Sequence, residues 1–227
     1  MSTKKDSKTK PKQLLIINGL VVTLGENNKV IKDGAVLIEG DKIADIGKTD
    51  ALKKKYANAE KLDAKNKLVM PGFINTHMHL YSTFARGLGK AAPSKNFPEI
   101  LKNLWWRLDK KLNMQDVYYS AILLLIDCIK HGTTTIIDHH ASPNAITGSL
   151  ETIAKACKKA GIRANLCYET SDRDGAKIAD EGIEENANFI KKCDAEKNPM
   201  ISGLFGLHAS MTISAKTLSK CLKYVEE

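Results

Sequence analysis

Apolar and polar positions along the first part of the chain alternate in short runs that are typical of β-strands. Turn-forming pairs such as Asn18-Gly19 and Gly40-Asp41 separate these runs. The runs lie at residues 14–17, 19–24, 35–39 and 42–47. Spacing this short predicts a small antiparallel sheet of hairpins.

From residue 68 onward, runs of strand length alternate with amphipathic runs of helix length. The predicted strands are 68–79, 133–138, 163–168 and 201–207, and the predicted helices are 113–130, 148–160, 179–192 and a last one that Ser214 caps. Strands that alternate with helices form right-handed βα units around a parallel sheet.

The spacing of the predicted strands suits a (β/α)8 barrel. The strand centres Ile136, Leu166 and Phe205 are 30 and 39 residues apart, and each strand–helix unit of such a barrel has about this length. Four units make half a barrel, and the sequence reaches Glu227 within a predicted helix. We therefore expect a truncated barrel, with a smaller open sheet as the alternative.

The stretch 68–79, LVMPGFINTHMH, carries the first candidate chemistry. It has the pattern of a buried strand whose polar residues lie where the strand leaves the core. Side chains at i and i+2 of a strand face the same side, so His77 and His79 could share one metal ion. A catalytic zinc usually has three protein ligands and a water, so at least one more ligand is expected elsewhere. The alternative is a pair of hydrogen-bonded histidines at a strand end.

Polar residues also follow the other predicted strands, where a barrel builds its active site. They are Asp138, His139, His140, Glu169 and His208. Because successive residues of a strand face opposite sides, at most one of His139 and His140 is expected to enter the mouth of the barrel.

Two further features leave their interpretation open. Glu169 either contacts substrate or pairs with Arg173, four residues later. Trp105 and Trp106 could wall a pocket for an aromatic substrate, although packing in a core or an oligomer is the commoner use of tryptophan.

Charge and composition limit the classes of partner. The formal net charge is +9, but a lysine-rich tail at 1–12, which we expect to be disordered, contributes four of these units. The remaining lysines are interspersed with glutamates, as on solvent-exposed helices, so nucleic acid is not expected as a partner. The longest apolar run, 121–126, is too short to span a bilayer, and no membrane partner is expected. Five cysteines without a C-x-x-C motif indicate reduced thiols and a cytoplasmic protein.

Several segments, in this order, resemble the amidohydrolase superfamily on its chlorohydrolase and aminohydrolase branch. They are V-M-P-G-F-I-N-T-H-M-H, F-A-R-G, H-G-T-T-T-I-I-D and G-L-H-A-S-M-T-I-S. The segments L-W-W-R-L-D-K, D-H-H-A-S-P and Y-E-T-S-D-R-D-G look closer still to an aminohydrolase subgroup associated with selenium metabolism. The resemblance implies an α/β fold: the first half of a (β/α)8 TIM-type metallo-hydrolase barrel at 68–227, preceded by a small N-terminal β-sandwich portion at 13–67.

The resemblance also implies roles for individual positions. His77 and His79 match the first two ligands of a divalent metal, zinc in the first place and iron as the alternative. Arg86 and His208 match residues that lie near substrate, and Glu169 and His140 are further candidate substrate contacts. The remaining ligands and the general acid/base are expected beyond residue 227, so no catalytic residue is expected within this chain, and the chain alone is expected to be inactive. Residues 201–212 contain no lysine, which favours a site with one metal.

The expected function is hydrolysis of a non-peptide C–N bond in a small cyclic, purine-like substrate by metal-activated water. A homo-oligomer is expected for the full-length protein. Two alternatives stay open: a non-catalytic scaffold that keeps the barrel, and an unstable gene fragment.

Overall fold

The computed structural model describes residues 11–88 and 92–225. It divides into two compact units, Met1–Pro71 and Gly72–Glu227. The predicted disordered tail lies outside the described residues except for Pro11 and Lys12.

Within residues 11–71, the first unit is a five-stranded sheet with one helix. The elements are β1 Gln13–Val22, β2 Val30–Glu39, β3 Lys42–Lys48, α1 Thr49–Lys55, β4 Glu60–Asp63 and β5 Leu68–Val69. The strands β1, β2 and β3 are antiparallel neighbours, whereas β4 and β5 pair with β1 in parallel. Inward side chains of β1 and β2 pack against the helix, and Leu15, Leu37 and Leu52 lie in this core.

The prediction of two strands at 14–17 and 19–24 was wrong, because β1 continues through the Asn18-Gly19 pair. Asn18 has a φ of 55°, a conformation that asparagine tolerates better than most residues. The pairing register with β2 shifts on both sides of Gly19. The pair therefore bends the strand without ending it.

The prediction of one buried strand over 68–79 was also wrong. Leu68 and Val69 belong to the sheet of the first unit, and β6, Phe73–Met78, is a separate edge strand in the second unit. Proline lacks the N–H that a central ladder needs, so Pro71 divides the apolar run. In this chain the side chains of Phe73 and Ile74 are 57% and 65% exposed, so the start of the strand is not buried as predicted.

Besides β6, the described part of the second unit has the strands β7 Thr133–His140, β8 Arg163–Tyr168 and β9 Ile201–Gly203. These four strands form a parallel sheet in the order β6-β7-β8-β9, as the alternation of strands and helices predicted. The strand β7 is two residues longer than predicted, because His139 and His140 still pair with β8. The strand β9 is four residues shorter than predicted, and only an isolated parallel bridge between Thr170 and Leu207 follows it.

Helices cover the sheet of the second unit. Asn113 begins α4 with the predicted capping box: its side chain accepts from the N–H of Asp116, whose carboxylate accepts from the N–H of Asn113. Ser214 caps the last helix by accepting from the N–H of Thr217. The helices are α2 Phe97–Ile100, α3 Trp106–Asp109, α4 Met114–Lys130, α5 Ser149–Ala160, α6 Ala176–Glu196 and α7 Ala215–Val225, with a π-helical turn Leu101–Trp105 and 3-10 turns Leu80–Ala85 and Ser210–Thr212.

The core of this unit lies between the sheet and the helices, and Leu125, Ile136, Ile153 and Leu166 are fully buried in it. Within 11–88 and 92–225, no single helix is long and apolar enough to cross a membrane. One pair, Phe97–Asp109 with Met114–Lys130, could do so by length and composition only, across a bend of 110°.

Candidate active site

The carboxyl ends of β6, β7 and β8 and the loop after β9 bring together most of the polar residues predicted from the sequence. Parallel strands end at the same edge of a sheet, so residues of different strands, 30 to 131 positions apart in the chain, come together there. The group consists of His77, His79, His139, Glu169 and His208.

His77 and His79 approach each other through one nitrogen of each ring. Their Nε2 atoms are 3.2 Å apart, and the ring planes are nearly perpendicular. The Nδ1 atom of His79 lies 2.9 Å from the carbonyl oxygen of His139, so Nδ1 carries the proton and donates it. The Nε2 atom of His79 is therefore left with a lone pair that faces His77.

This arrangement fits a divalent metal. Two zinc–nitrogen bonds of about 2.0–2.1 Å at a tetrahedral angle place their nitrogens about 3.3 Å apart, close to the separation of the two Nε2 atoms. The hydrogen bond that fixes the second nitrogen of His79 is the kind of support that ligating histidines usually have. Among the described residues, no group of three or more His, Cys, Asp or Glu side chains is placed to hold a metal. The pair thus has the geometry of part of a ligand set.

Asp138 supports the segment that follows this pair. Its side chain is fully buried, and Oδ1 accepts from the backbone N–H of Leu80 at 2.6 Å. Burial raises the pKa of Asp138 to about 7. The contact joins the end of β7 to the residue after His79.

His139 and His208 both direct a lone pair toward Glu169. The Nε2–H of His139 donates to the carbonyl oxygen of Leu207 at 3.2 Å, which leaves Nδ1 without a proton. Thr212 donates its hydroxyl hydrogen to Ala209, so its oxygen accepts from Nδ1 of His208 at 2.5 Å, and Nε2 of His208 is left bare. Burial lowers the pKa of His139 to about 4 and also lowers that of His208, so both rings are neutral near pH 7.

Glu169 lies between these two rings and beside a buried arginine. Its Oε2 is 3.9 Å from Nδ1 of His139 and from Nε2 of His208, and its Oε1 is 3.5 Å from Arg173. Burial raises the pKa of Glu169 to about 7, although the positive charge of Arg173 acts in the opposite direction. Arg173 forms a closer ion pair with Asp109, at 2.7 Å.

An aromatic cavity of about 200 Å³ opens beside these residues. Trp105 and Trp106 line it, and Trp105 also packs against the core; a contact of either with an aromatic substrate stays a prediction. The full lining is His79, Tyr81, Ser82, Phe97, Leu101, Trp105, Trp106, Glu169 and His208.

Two predicted substrate contacts lie elsewhere. His140 is fully buried between Tyr81 and Tyr168, and its Nε2 is 2.9 Å from the hydroxyl of Ser142. Burial lowers the pKa of His140 to about 3. Arg86 is in an exposed ion pair with Asp127, at 2.8 Å. The alternation along β7 thus directs His139, and not His140, toward the group of polar residues.

Sequence reasoning did not find five residues of this site. Four of them line the cavity from turns and a short helix that the sequence did not predict: Tyr81, Ser82, Phe97 and Leu101. Asp109 holds Arg173 from 64 positions away in the chain. The sequence contains one signal for Asp109: it lies in the L-W-W-R-L-D-K segment, one of those that carry the family resemblance.

Comparison with known proteins gives a consistent result. Residues 68–227 match the model of a family described as "Amidohydrolase family", and residues 34–59 match that of an "Imidazolonepropionase-like composite domain, bacteria". A 5-methylthioadenosine/S-adenosylhomocysteine deaminase from Thermococcus sibiricus is 35% identical over 91% of this chain and 45% of its own length. A 5'-deoxyadenosine deaminase from Methanocaldococcus jannaschii is 36% identical over 81% of this chain and 41% of its own. The chain therefore spans less than half the length of these relatives.

A solved structure shows the same fold. The atrazine chlorohydrolase of Arthrobacter aurescens, in complex with zinc, superimposes with a TM-score of 0.74 at 19% identity, over 94% of this chain and 50% of the other. The comparison confirms the predicted fold class, in which the parallel sheet and its helices form the first half of a barrel.

Proposed function

Because this chain belongs to the amidohydrolase family, we propose that it supplies the first half of the active site of a metal-dependent aminohydrolase. The reaction is hydrolysis of a C–N bond in a small cyclic, adenine-type compound, with release of ammonia. Support comes from relatives that are named as deaminases of adenosine derivatives. The activity depends on residues outside this chain, which spans less than half the length of those relatives.

In this proposal His77 and His79 hold a divalent metal, zinc in the first place and iron as the alternative. The observation that carries it is the 3.2 Å separation of their Nε2 atoms, together with the carbonyl that fixes the other nitrogen of His79. The ion, when bound, supplies an activated water at neutral pH. A zinc complex among the structural neighbours supports the choice of metal, and the lack of lysine in 201–212 supports one ion per site.

On the substrate side, Glu169 and His208 line the cavity and are proposed to contact the substrate. Their proposed function is to bind and orient the ring beside His79. Arg86 and His140 stay predictions, and the ion pair of Arg86 and the full burial of His140 give them less support. The link to selenium metabolism and the homo-oligomeric state also stay predictions. A cytoplasmic location is proposed on the ground that all five cysteines are free thiols.

The test uses the full-length protein encoded by the gene, purified and loaded with zinc. We expect about one zinc per site and ammonia release from adenosine derivatives or guanine. In His77→Ala and His79→Ala, bound zinc should be lost and ammonia release should fall by about 100-fold or more. His131→Ala is the matched control, because His131 is an exposed histidine that bonds the backbone of α4.

Three outcomes would contradict the proposal. Full zinc retention in both ligand variants would show that the metal is held elsewhere. Two tightly bound ions per site would refute the single-metal assignment. A wild-type protein that binds zinc but releases no ammonia from any ring tested would favour the non-catalytic scaffold.

A further inference from the structure

The carboxyl group of Glu169 is buried in the cavity lining without a hydrogen-bond partner for one of its oxygens. Its Oε1 lies 3.5 Å from Arg173 and makes no hydrogen bond among the described residues. Glu169 as a whole is 8% exposed. An unpaired buried carboxylate oxygen has a substantial desolvation cost, so this position calls for a donor.

The groups that face the other oxygen are acceptors as well. His139 donates one ring N–H to Leu207, and His208 donates one to Thr212. The other ring nitrogen of each histidine is unprotonated and faces Glu169. Both nitrogens are 3.9 Å from Oε2, too far for a direct hydrogen bond. Two nitrogen acceptors thus lie near an oxygen acceptor, and no hydrogen bond joins either of them to it.

Arg173 makes no hydrogen bond to Glu169: its Nη2 and Nε atoms face Asp109 and Asp174, and its Nη1 atom has no hydrogen-bond partner among the described residues. Its guanidinium pairs with Asp109 at 2.7 Å and with Asp174 at 3.4 Å, and it lies 5.3 Å from the centre of the Trp106 ring. The side chains of Arg173 and Asp109 are only 7% and 1% exposed. This buried network fixes the guanidinium and holds Glu169 at the cavity without saturating its oxygens.

The walls of the cavity limit the shape of the donor. Four of the lining side chains, those of Tyr81, Phe97, Trp105 and Trp106, are aromatic, and aromatic faces favour a flat ring. The part of the cavity that this chain forms has a volume of about 200 Å³. It therefore offers a flat ring an aromatic surface beside Glu169.

We propose that Glu169 is a specificity-determining residue, which accepts a hydrogen bond from an N–H on the edge of a planar heteroaromatic ring held against Trp105 and Trp106. Arg173 and Asp109 are positioning residues that act through Glu169. The inference rests on the proposed function, because it takes this cavity as the substrate site, and it adds the chemical feature by which the site selects its ring.

Ligand binding by the full-length protein tests the inference without turnover. Trp105 and Trp106 are the only tryptophans of this chain and both line the cavity, so their fluorescence reports binding, with calorimetry as the check in the full-length protein. The probes are purine bases and their counterparts in which a single ring N–H is methylated. At pH 8, above the pKa of about 7 that burial gives Glu169, the wild type should bind at least one N–H base about tenfold or more tightly than its methylated counterpart, as expected for a hydrogen bond to a charged group.

The decisive quantity is how this binding ratio changes in the variants. In Glu169→Leu it should fall by about tenfold or more, and in Glu169→Gln by less, because the amide keeps an uncharged acceptor. The ratio compares two ligands on the same variant, so partial loss of folded protein cancels. Glu185→Gln is the matched control: Glu185 is equally buried but caps α5 through the N–H groups of Gly148 and Leu150, and its ratio should equal that of the wild type.

Each other outcome has a defined meaning. An unchanged ratio in both Glu169 variants, with ammonia release intact in the wild type, would overturn the inference and leave the proposed function standing. If Glu169→Leu instead abolished only the preference for adenosine over its 2′,3′-dideoxy counterpart, the acceptor would serve sugar hydroxyls, and the ring assignment would be wrong. Absence of both ring binding and ammonia release in the zinc-loaded wild type would overturn both proposals.

Discussion

Asn186 on α6 is the residue whose removal should most clearly disturb the scaffold behind the site. Its side chain is fully buried and bonds three separate segments. The Oδ1 atom accepts from the N–H groups of Tyr168 and Gly206, at 2.8 and 3.2 Å. The Nδ2 group donates to the carbonyls of Tyr168 and Gly182, at 2.9 and 3.0 Å, with Thr170 as a further neighbour.

Substitution by alanine leaves these backbone groups buried and unpaired. Each unsatisfied N–H costs about 1–3 kcal/mol, so the two that bond Oδ1 predict a loss of about 2–6 kcal/mol in the free energy of unfolding. Whole domains are stable by about 5–15 kcal/mol, so this is a large share. At about 2–4 °C per kcal/mol for a domain of this size, the melting temperature should fall by roughly 5–20 °C.

The measurement is urea and thermal unfolding of Asn186→Ala in the full-length protein, followed by circular dichroism. Asn144→Ala is the control, because Asn144 is exposed and donates a single hydrogen bond to the carbonyl of Lys110; its loss should stay below about 1 kcal/mol. A loss below about 1 kcal/mol in Asn186→Ala would refute the reasoning, since it would mean that the N–H groups of Tyr168 and Gly206 find other partners.

Three further changes probe single contacts. A Cβ at Gly206 would lie 2.2 Å from the carbonyl oxygen of Tyr168, so Gly206→Ala should cost about 1–3 kcal/mol in unfolding experiments, whereas Gly25→Ala, which meets nothing within 4 Å, should cost little. Asn113→Ala removes the cap of α4 and should cost about 1 kcal/mol; a change within error would show that the capping box adds nothing. Burial raises the pKa of Asp138 to about 7 in the folded state, so its contribution to stability is full below about pH 4 and is lost as the pH rises to about 7, a change of about 4 kcal/mol. The side chain in Asp138→Asn is neutral at every pH, so this variant lacks the pH-dependent loss of stability. In unfolding experiments without metal, the stability of Asp138→Asn minus that of the wild type should rise by about 4 kcal/mol from pH 4 to pH 8. A difference that does not change with pH would contradict the raised pKa of Asp138.

The sequence predicted best the features that depend on neighbouring residues. The capping box of α4 and the cap of α7 were predicted residue by residue, because side chain and backbone partner lie within three positions. The order of strands and helices from β7 to α7 was also predicted. The apolar run at 68–79 could not be interpreted correctly, because a hydrophobic pattern shows that a segment pairs but not with which sheet. Leu68 and Val69 pair with β1, whereas Phe73 begins the next sheet.

The sequence predicted which strand ends carry the polar residues of the candidate site. It did not predict which of these residues contact each other. Alternation along β7 showed that His139 and His140 face opposite sides, but the assignment of each side required the packing of Tyr81 and Tyr168 around His140. The pairing of Arg173 with Asp109 spans 64 positions. No local pattern encodes such a contact, because it exists only once the loop after β8 and the end of α3 have been brought together by folding.

The orientation of His79 shows why the motif alone does not determine the site. Its Nε2 faces His77 only because Nδ1 donates to the carbonyl of His139, a backbone group whose position depends on the pairing of β6 with β7. That pairing shifts register between Asn75 and Met78, just before the carbonyl is reached. Any residue at position 139 supplies a backbone carbonyl. The type of residue at this position therefore gives no sign that the carbonyl accepts a hydrogen bond from His79. The geometry proposed for metal binding is therefore a property of two adjacent strands, and the His-x-His pattern contributes only the two rings.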